Sequence, residues 1–141
     1  MTASPGAERP RGRPIVFYDG ACGLCHRFVR RVAAADAEGT LRFAPVGGAT
    51  WNATFPGRPP PERLVFLGAD GTSAEGAEGV LAAMTAAGGA TARRARRLRL
   101  IPRPLRTAGY AVIAAVRRRI FAAPSGPCPV VPDDLRARFL P

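Results

Sequence analysis

Lysine is absent from this 141-residue chain, histidine occurs once, and cysteine three times. All 21 basic residues are therefore arginines, and Ala, Arg, Gly and Pro together fill more than half of the sequence. Such a bias reads as GC-rich coding, so the abundance of arginine is not by itself a sign of chemistry. Long apolar runs are missing too: the longest, Ala108 to Val116, is about half of the ~20 residues that cross a bilayer, which excludes a membrane-spanning helix. The N-terminal "MTASPGAERPRGRP" lacks the apolar core of a secretory signal, and its Pro, Gly and charge content predicts a disordered tail over residues 1–13. A cytoplasmic location is the expectation. In that reducing setting three cysteines are poor candidates for structural cross-links, and a close pair points to redox or metal chemistry. There are no internal repeats, and residues 14–141 are expected to form one domain around one core.

The net charge of +11 is uneven, with 9 arginines against 8 acids in residues 1–78 and 12 against 2 thereafter. The elements can be placed by pattern. Ile15-Val16-Phe17-Tyr18 is a β-branched and aromatic run closed by Asp19-Gly20, which predicts a first strand. Leu24, Phe28, Val29 and Val32 then recur at helical spacing with Arg27, Arg30 and Arg31 opposite, to about Ala37, and Gly39 stops the helix. Residues 41–46 are a second strand, and a strand-helix-strand unit of this length requires a parallel crossover. Residues 47–62 read as irregular with one helical turn; residues 63–68 and 72–75 read as a hairpin about Asp70-Gly71. Helices follow from about Glu75 to Gly88-Gly89, from Ala92 to Ile101 before the breakers Pro102 and Pro104, and from Leu105 to Ala122. In the last of these Leu105, Gly109, Val112, Val116 and Ile120 share one face. Pro132-Asp133-Asp134 predicts a final short helix through Leu140. The order β-α-β, ββ, α is the skeleton of a thioredoxin-like α/β domain, here with additional C-terminal helices.

Cys22-Gly23-Leu24-Cys25-His26 lies at the junction of the first strand and helix. Residues three apart in a first helical turn are neighbours within disulfide reach. At the helix start, unpaired N–H groups and the peptide dipoles favour a thiolate on Cys22, the attacking sulfur, whereas Cys25 one turn inside is the resolving thiol. Two inert packing thiols are the plain alternative. A c-type haem anchor shares the C-x-x-C-H pattern, but His26 is the sole histidine, Met84 is the only internal methionine, and no export signal is present. Zinc is the stronger rival: Cys22, Cys25, His26 and Cys128 are ligands of the right type, and a non-enzymatic zinc module with basic partner-binding helices remains the alternative reading. His26 is otherwise a first-turn side chain able to tune the thiols. Asp19, three residues before Cys22, reads either as a turn aspartate or as a carboxylate that accepts the proton of Cys25 or caps the helix.

"YDGACGLC" resembles the Asp-Gly-x-Cys-x-x-Cys signature of the DCC family of thiol-disulfide oxidoreductases. "IPRPLRTAGY" with "VIAAVRRRIF" is similar to the family's second block, carried by Pro102, Leu105, Arg106, Tyr110, Arg117 and Phe121. "CPVVPDDLRARFL" is similar to the family ending, through Cys128, Pro132 and Phe139. The resemblance spans Ile15 to Leu140. It implies a thioredoxin-like fold, with Asp19, Cys22 and Cys25 as the active-site set and the Cys22-Cys25 disulfide as the redox group, without a separate cofactor. It also implies a protein or small-molecule thiol or disulfide as substrate. Gly23 stands where proline is common and Val116 where a polar residue is common. Ala21 replaces the tryptophan of thioredoxins, and Pro61 is the candidate for their cis-proline.

The arginine runs of residues 93–99 and 117–119 read first as solvated helix faces, and second as a surface for an acidic partner or an anionic membrane. Nucleic acid is not expected, because no aromatics interleave the first run and no nucleic-acid motif is present.

Overall fold

The computed structural model describes residues 13–20, 23–120 and 137–140. Its elements are β1 (Ile15–Tyr18), α1 (Gly23–Ala35), β2 (Arg42–Pro45), α2 (Ala49–Thr54), β3 (Val65–Leu67), β4 (Ser73–Glu75), α3 (Gly76–Ala87), α4 (Gly89–Leu98) and α5 (Arg103–Ile120). The sheet order is β2-β1-β3-β4. β1 pairs with β2 in parallel, through Val16 opposite Phe43, and with β3 antiparallel, through Phe17 opposite Val65; β3 and β4 form the predicted hairpin. This is a thioredoxin-like mixed α/β core to which α4 and α5 have been added.

β1 is central and every one of its residues is buried, which is why its sequence is an unbroken apolar run rather than an alternating one. Its side chains still divide by the two-residue period of a strand. Val16 and Tyr18 join Val29 and Val32 of α1, Phe43 of β2 and Ala83 of α3 in one core layer. Ile15 and Phe17 join Ala44, Val65 and Trp51 of α2 in the other. The short α2, which the irregular composition of residues 47–62 only hinted at, exists to bury Trp51: the indole packs edge-on to Phe17 with centroids 5.3 Å apart and donates its N–H to the Arg58 carbonyl at 3.1 Å.

Two expected bounds shift. The break before Pro102 and Pro104 stands, but α4 ends at Leu98 rather than Ile101 and α5 starts at Arg103 rather than Leu105, with Pro104 in its first turn, where a missing N–H costs nothing. The helix expected to run through Leu140 does not include Arg138 to Leu140. That stretch instead lies beside β2, with Phe139 bridged in parallel to Phe43, the Phe43 N–H donating to the Arg138 carbonyl (2.9 Å) and the Leu140 N–H to the Phe43 carbonyl (2.7 Å). Tertiary pairing overrides local helix propensity there; residues 133–136 lie outside the described residues, as do 1–12.

The apolar stripe of α5 is not its docking face. Arg106, Tyr110 and Ala114 are half-buried, whereas Leu105, Val112, Ile113 and Val116 are exposed. The helix is held from its polar side: the Leu64 N–H donates to the Tyr110 hydroxyl (3.2 Å), and Arg106 Nη1 lies 2.9 Å from Glu78 Oε1 of α3. Gly76 lies against the Tyr110 ring, and its φ of +61° is what calls for glycine there.

Candidate active site

The carboxyl end of β1 is where the chain leaves the sheet to enter α1, so backbone amides at the start of a helix meet the edge of the core at this point. Tyr18 ends the strand, and its carbonyl accepts the Val46 N–H at 2.8 Å, which binds the exits of β1 and β2 together. Asp19, half-buried, and Gly20 follow. Gly20 lies beside Pro45 and Gly47 beside Pro60 at ordinary contact distance, so three loops meet at this end of the sheet, and the φ of +77° at Gly47 suits glycine.

Cys25 occupies the first turn of α1 and is buried within the core layer that contains Tyr18 and Val29. His26, the next residue, turns back over the loop. Its Nε2 lies 2.7 Å from the Gly20 carbonyl oxygen, and its ring stands edge-on to Tyr18 with centroids 5.5 Å apart. A carbonyl can only accept, so Nε2 is the donor in this contact. The histidine thereby fastens the first helical turn to the turn that precedes it.

Tyr18 relays this contact to the far end of the chain. Phe139 lies edge-on to Tyr18 at 6.4 Å and stacks on Phe43 at 5.1 Å. Arg138 donates from Nη1 to the carbonyls of Ala33 and Asp36, each at 3.2 Å, at the end of α1. Asp36 is buried; its Oδ2 accepts the Leu41 N–H at 2.9 Å and its Oδ1 accepts the Thr40 hydroxyl at 3.1 Å. The Asp36–Arg138 pair spans about a hundred positions of sequence, so no local pattern points to it. Nor does helical spacing mark Tyr110 and Arg106 as docking groups, although both belong to the conspicuous "IPRPLRTAGY" block.

Of the residues singled out in the sequence, Asp19, Cys25 and His26 are brought together at the end of β1. Cys22 and Cys128 lie outside the described residues, as does the side chain of Arg117. Two of the four candidate zinc ligands are thus described, Cys25 and His26, and of these His26 has its Nε2 turned to a backbone carbonyl. Because β3 runs antiparallel to β1, the segment entering β3 arrives at the same end of the sheet, which puts Pro61 on this side. Its peptide bond is trans, with no cis bond among the described residues; an X-Pro bond in a proline-rich loop keeps its ordinary trans preference.

A family model described as DCC1-like thiol-disulfide oxidoreductase matches residues 16–123, from β1 past the end of α5 and including Asp19, Cys22, Cys25, Arg106 and Tyr110. No curated protein and no solved structure matches the chain.

Proposed function

The chain belongs to the DCC1-like thiol-disulfide oxidoreductase family, and from that premise we propose that it exchanges disulfides through Cys22 and Cys25, with Cys22 as nucleophile. The observation that carries the reading is the position of Cys25: a buried thiol in the first turn of α1, directly beyond the central strand of a thioredoxin-like sheet, with Cys22 one turn earlier in the sequence. The start of a helix favours an anion there, which lowers the cost of the Cys22 thiolate.

The Cys22 thiolate attacks one sulfur of a substrate disulfide. A bond forms between Cys22 and that sulfur, and the other substrate sulfur departs as a thiolate that takes a proton from water. Cys25 then loses its proton to Asp19, directly or through water, and its thiolate attacks Cys22. The second substrate sulfur leaves, and the protein is left as the Cys22-Cys25 disulfide with two electrons transferred to the substrate. Burial shields Cys25 from the substrate until the mixed disulfide forms on Cys22, so each thiol has its turn.

The test uses the purified protein, an aromatic disulfide that releases a coloured thiolate, and a glutathione-coupled turnover assay. Cys22→Ser is expected to remove the fast release of colour, whereas Cys25→Ser releases one equivalent and stops as a stable mixed disulfide, visible by mass. Asp19→Asn should slow turnover while leaving the unfolding midpoint unchanged. Full turnover by Cys22→Ser would overturn the assignment of the nucleophile, and an unchanged rate for Asp19→Asn would remove that residue from the scheme.

A further inference from the structure

α5 is mounted with its polar side inward. On a helix of 3.6 residues per turn, Leu105, Ala108, Val112 and Val116 fall within one narrow stripe, opposite Arg106 and Tyr110, which hold the helix to α3 and to Leu64. The stripe is open to solvent: Leu105 and Val112 are each 63% exposed, and Leu100 at the α4–α5 junction is 83% exposed. An apolar run of this extent on an accessible helix marks a surface that some partner covers.

The charge around the stripe says which kind. Between Gly89 and Ile120 there are ten arginines and no aspartate or glutamate. At the junction, exposed Arg97, Arg99 and Arg103 interleave with Leu98, Leu100 and Ile101. Among the described residues, none of the α4 arginines pairs with a carboxylate. A second copy of the chain would bring a like-charged face against this one. We propose that α4 and α5 form a docking surface for an anionic lipid bilayer, with the α5 stripe set among the acyl chains near the headgroups and the flanking arginines on the lipid phosphates. From Leu105 to Val116 the stripe runs about 17 Å along the helix, a straight ridge suited to a plane of lipid. No helix among the described residues is long and apolar enough to cross a membrane, so the contact is at the surface. This goes beyond the thiol chemistry and does not depend on it.

The experiment is co-sedimentation of the full-length protein with vesicles of phosphatidylcholine containing a quarter phosphatidylglycerol, and with phosphatidylcholine alone. Binding is expected to the anionic vesicles only, and to fall about tenfold or more between roughly 0.05 and 0.3 M salt. The double substitution Leu105→Asp with Val112→Asp is expected to weaken that binding by about tenfold or more, because both side chains must leave the lipid, with disulfide turnover unchanged. Leu100→Asp, at the most exposed position, provides a second variant that leaves the helix packing intact. Wild-type binding by both variants would overturn the proposal in favour of attraction by charge alone. A wild-type dimer that the double variant converts to a monomer, without binding to either vesicle, would overturn it in favour of a second copy on the stripe.

Discussion

Replacing Asp36 by asparagine isolates one oxygen of one buried carboxylate. Asp36 is 2% exposed, and it closes the turn between α1 and β2 by accepting the Leu41 N–H on Oδ2 and the Thr40 hydroxyl on Oδ1. Asparagine keeps the shape, yet one of its two terminal atoms becomes an NH2. With its oxygen kept on the buried Leu41 N–H, that NH2 faces the Thr40 hydroxyl, which must turn from donor to acceptor, and both contacts lose the extra strength of a charged acceptor, about 1–2 kcal/mol together. The Arg138 guanidinium, 3.8 Å from Oδ2 and partly exposed, adds less than about 1 kcal/mol through the lost charge. The sum is about 1–3 kcal/mol. Urea unfolding measures it conveniently, because Trp51 is the single tryptophan and is fully buried, so its fluorescence reports the core. With a slope near ~2 kcal/mol/M the midpoint should fall by about 0.5–1.5 M. Arg138→Ala, which also removes two bonds to carbonyls, completes a double-mutant cycle whose coupling should be about 0.5–1 kcal/mol. A midpoint shift below about 0.3 M for Asp36→Asn would refute the claim that this carboxylate secures the turn.

Tyr110→Phe removes the acceptor of the Leu64 N–H and should cost about 1–2 kcal/mol in the same urea assay; a neutral result would mean that α5 docks by ring contact alone. Gly79→Ala should destabilise by about 1–3 kcal/mol, since its Cβ would lie 2.8 Å from the Ala74 carbonyl oxygen, an atom of backbone with little freedom to retreat; wild-type stability would show that β4 yields. Hydrogen bonds from the Thr72 hydroxyl and then from the Thr72 N–H hold the Asp70 carboxyl below its ordinary value of 3.8. A folded-state value below the unfolded one adds stability above the unfolded value, and that increment disappears as pH falls through the folded value. Carboxyl-carbon NMR should therefore find Asp70 titrating below 3.8, with Thr72→Val raising the midpoint; identical midpoints in the two proteins would refute the cause assigned.

What the sequence made legible is what local pattern controls. The first strand, the helix after it, the crossover and the hairpin follow from apolar period and glycine punctuation, and they lie within a few residues of the expected bounds. That Asp19 follows the first strand and Cys25 opens the helix after it was legible because the change from a β-like to a helix-like pattern falls between them. Other features depend on what packs against what. Helical spacing identified the apolar face of α5, but period alone does not say whether a face meets the core, and the Tyr110 and Arg106 anchors turned it outward. The acids near residue 133 suggested a helix through Leu140, whereas Phe43, nearly a hundred positions earlier, draws Phe139 into the sheet. His26 was legible as a neighbour of the thiols; that its ring ties Gly20 to α1 depends on a loop trajectory that spacing does not encode.

The segment from Arg138 to Leu140 lies along β2, which would otherwise be the flank of the sheet. On the opposite flank β4 has three residues, and its Glu75 is ion-paired with Arg58 and Arg63. Neither side thus presents a long row of open amides and carbonyls to another polypeptide, which guards a folded molecule against strand invasion and fibrillar stacking. The same closure constrains pairing: another extended chain cannot add to the sheet at β2 without first displacing the molecule's own residues.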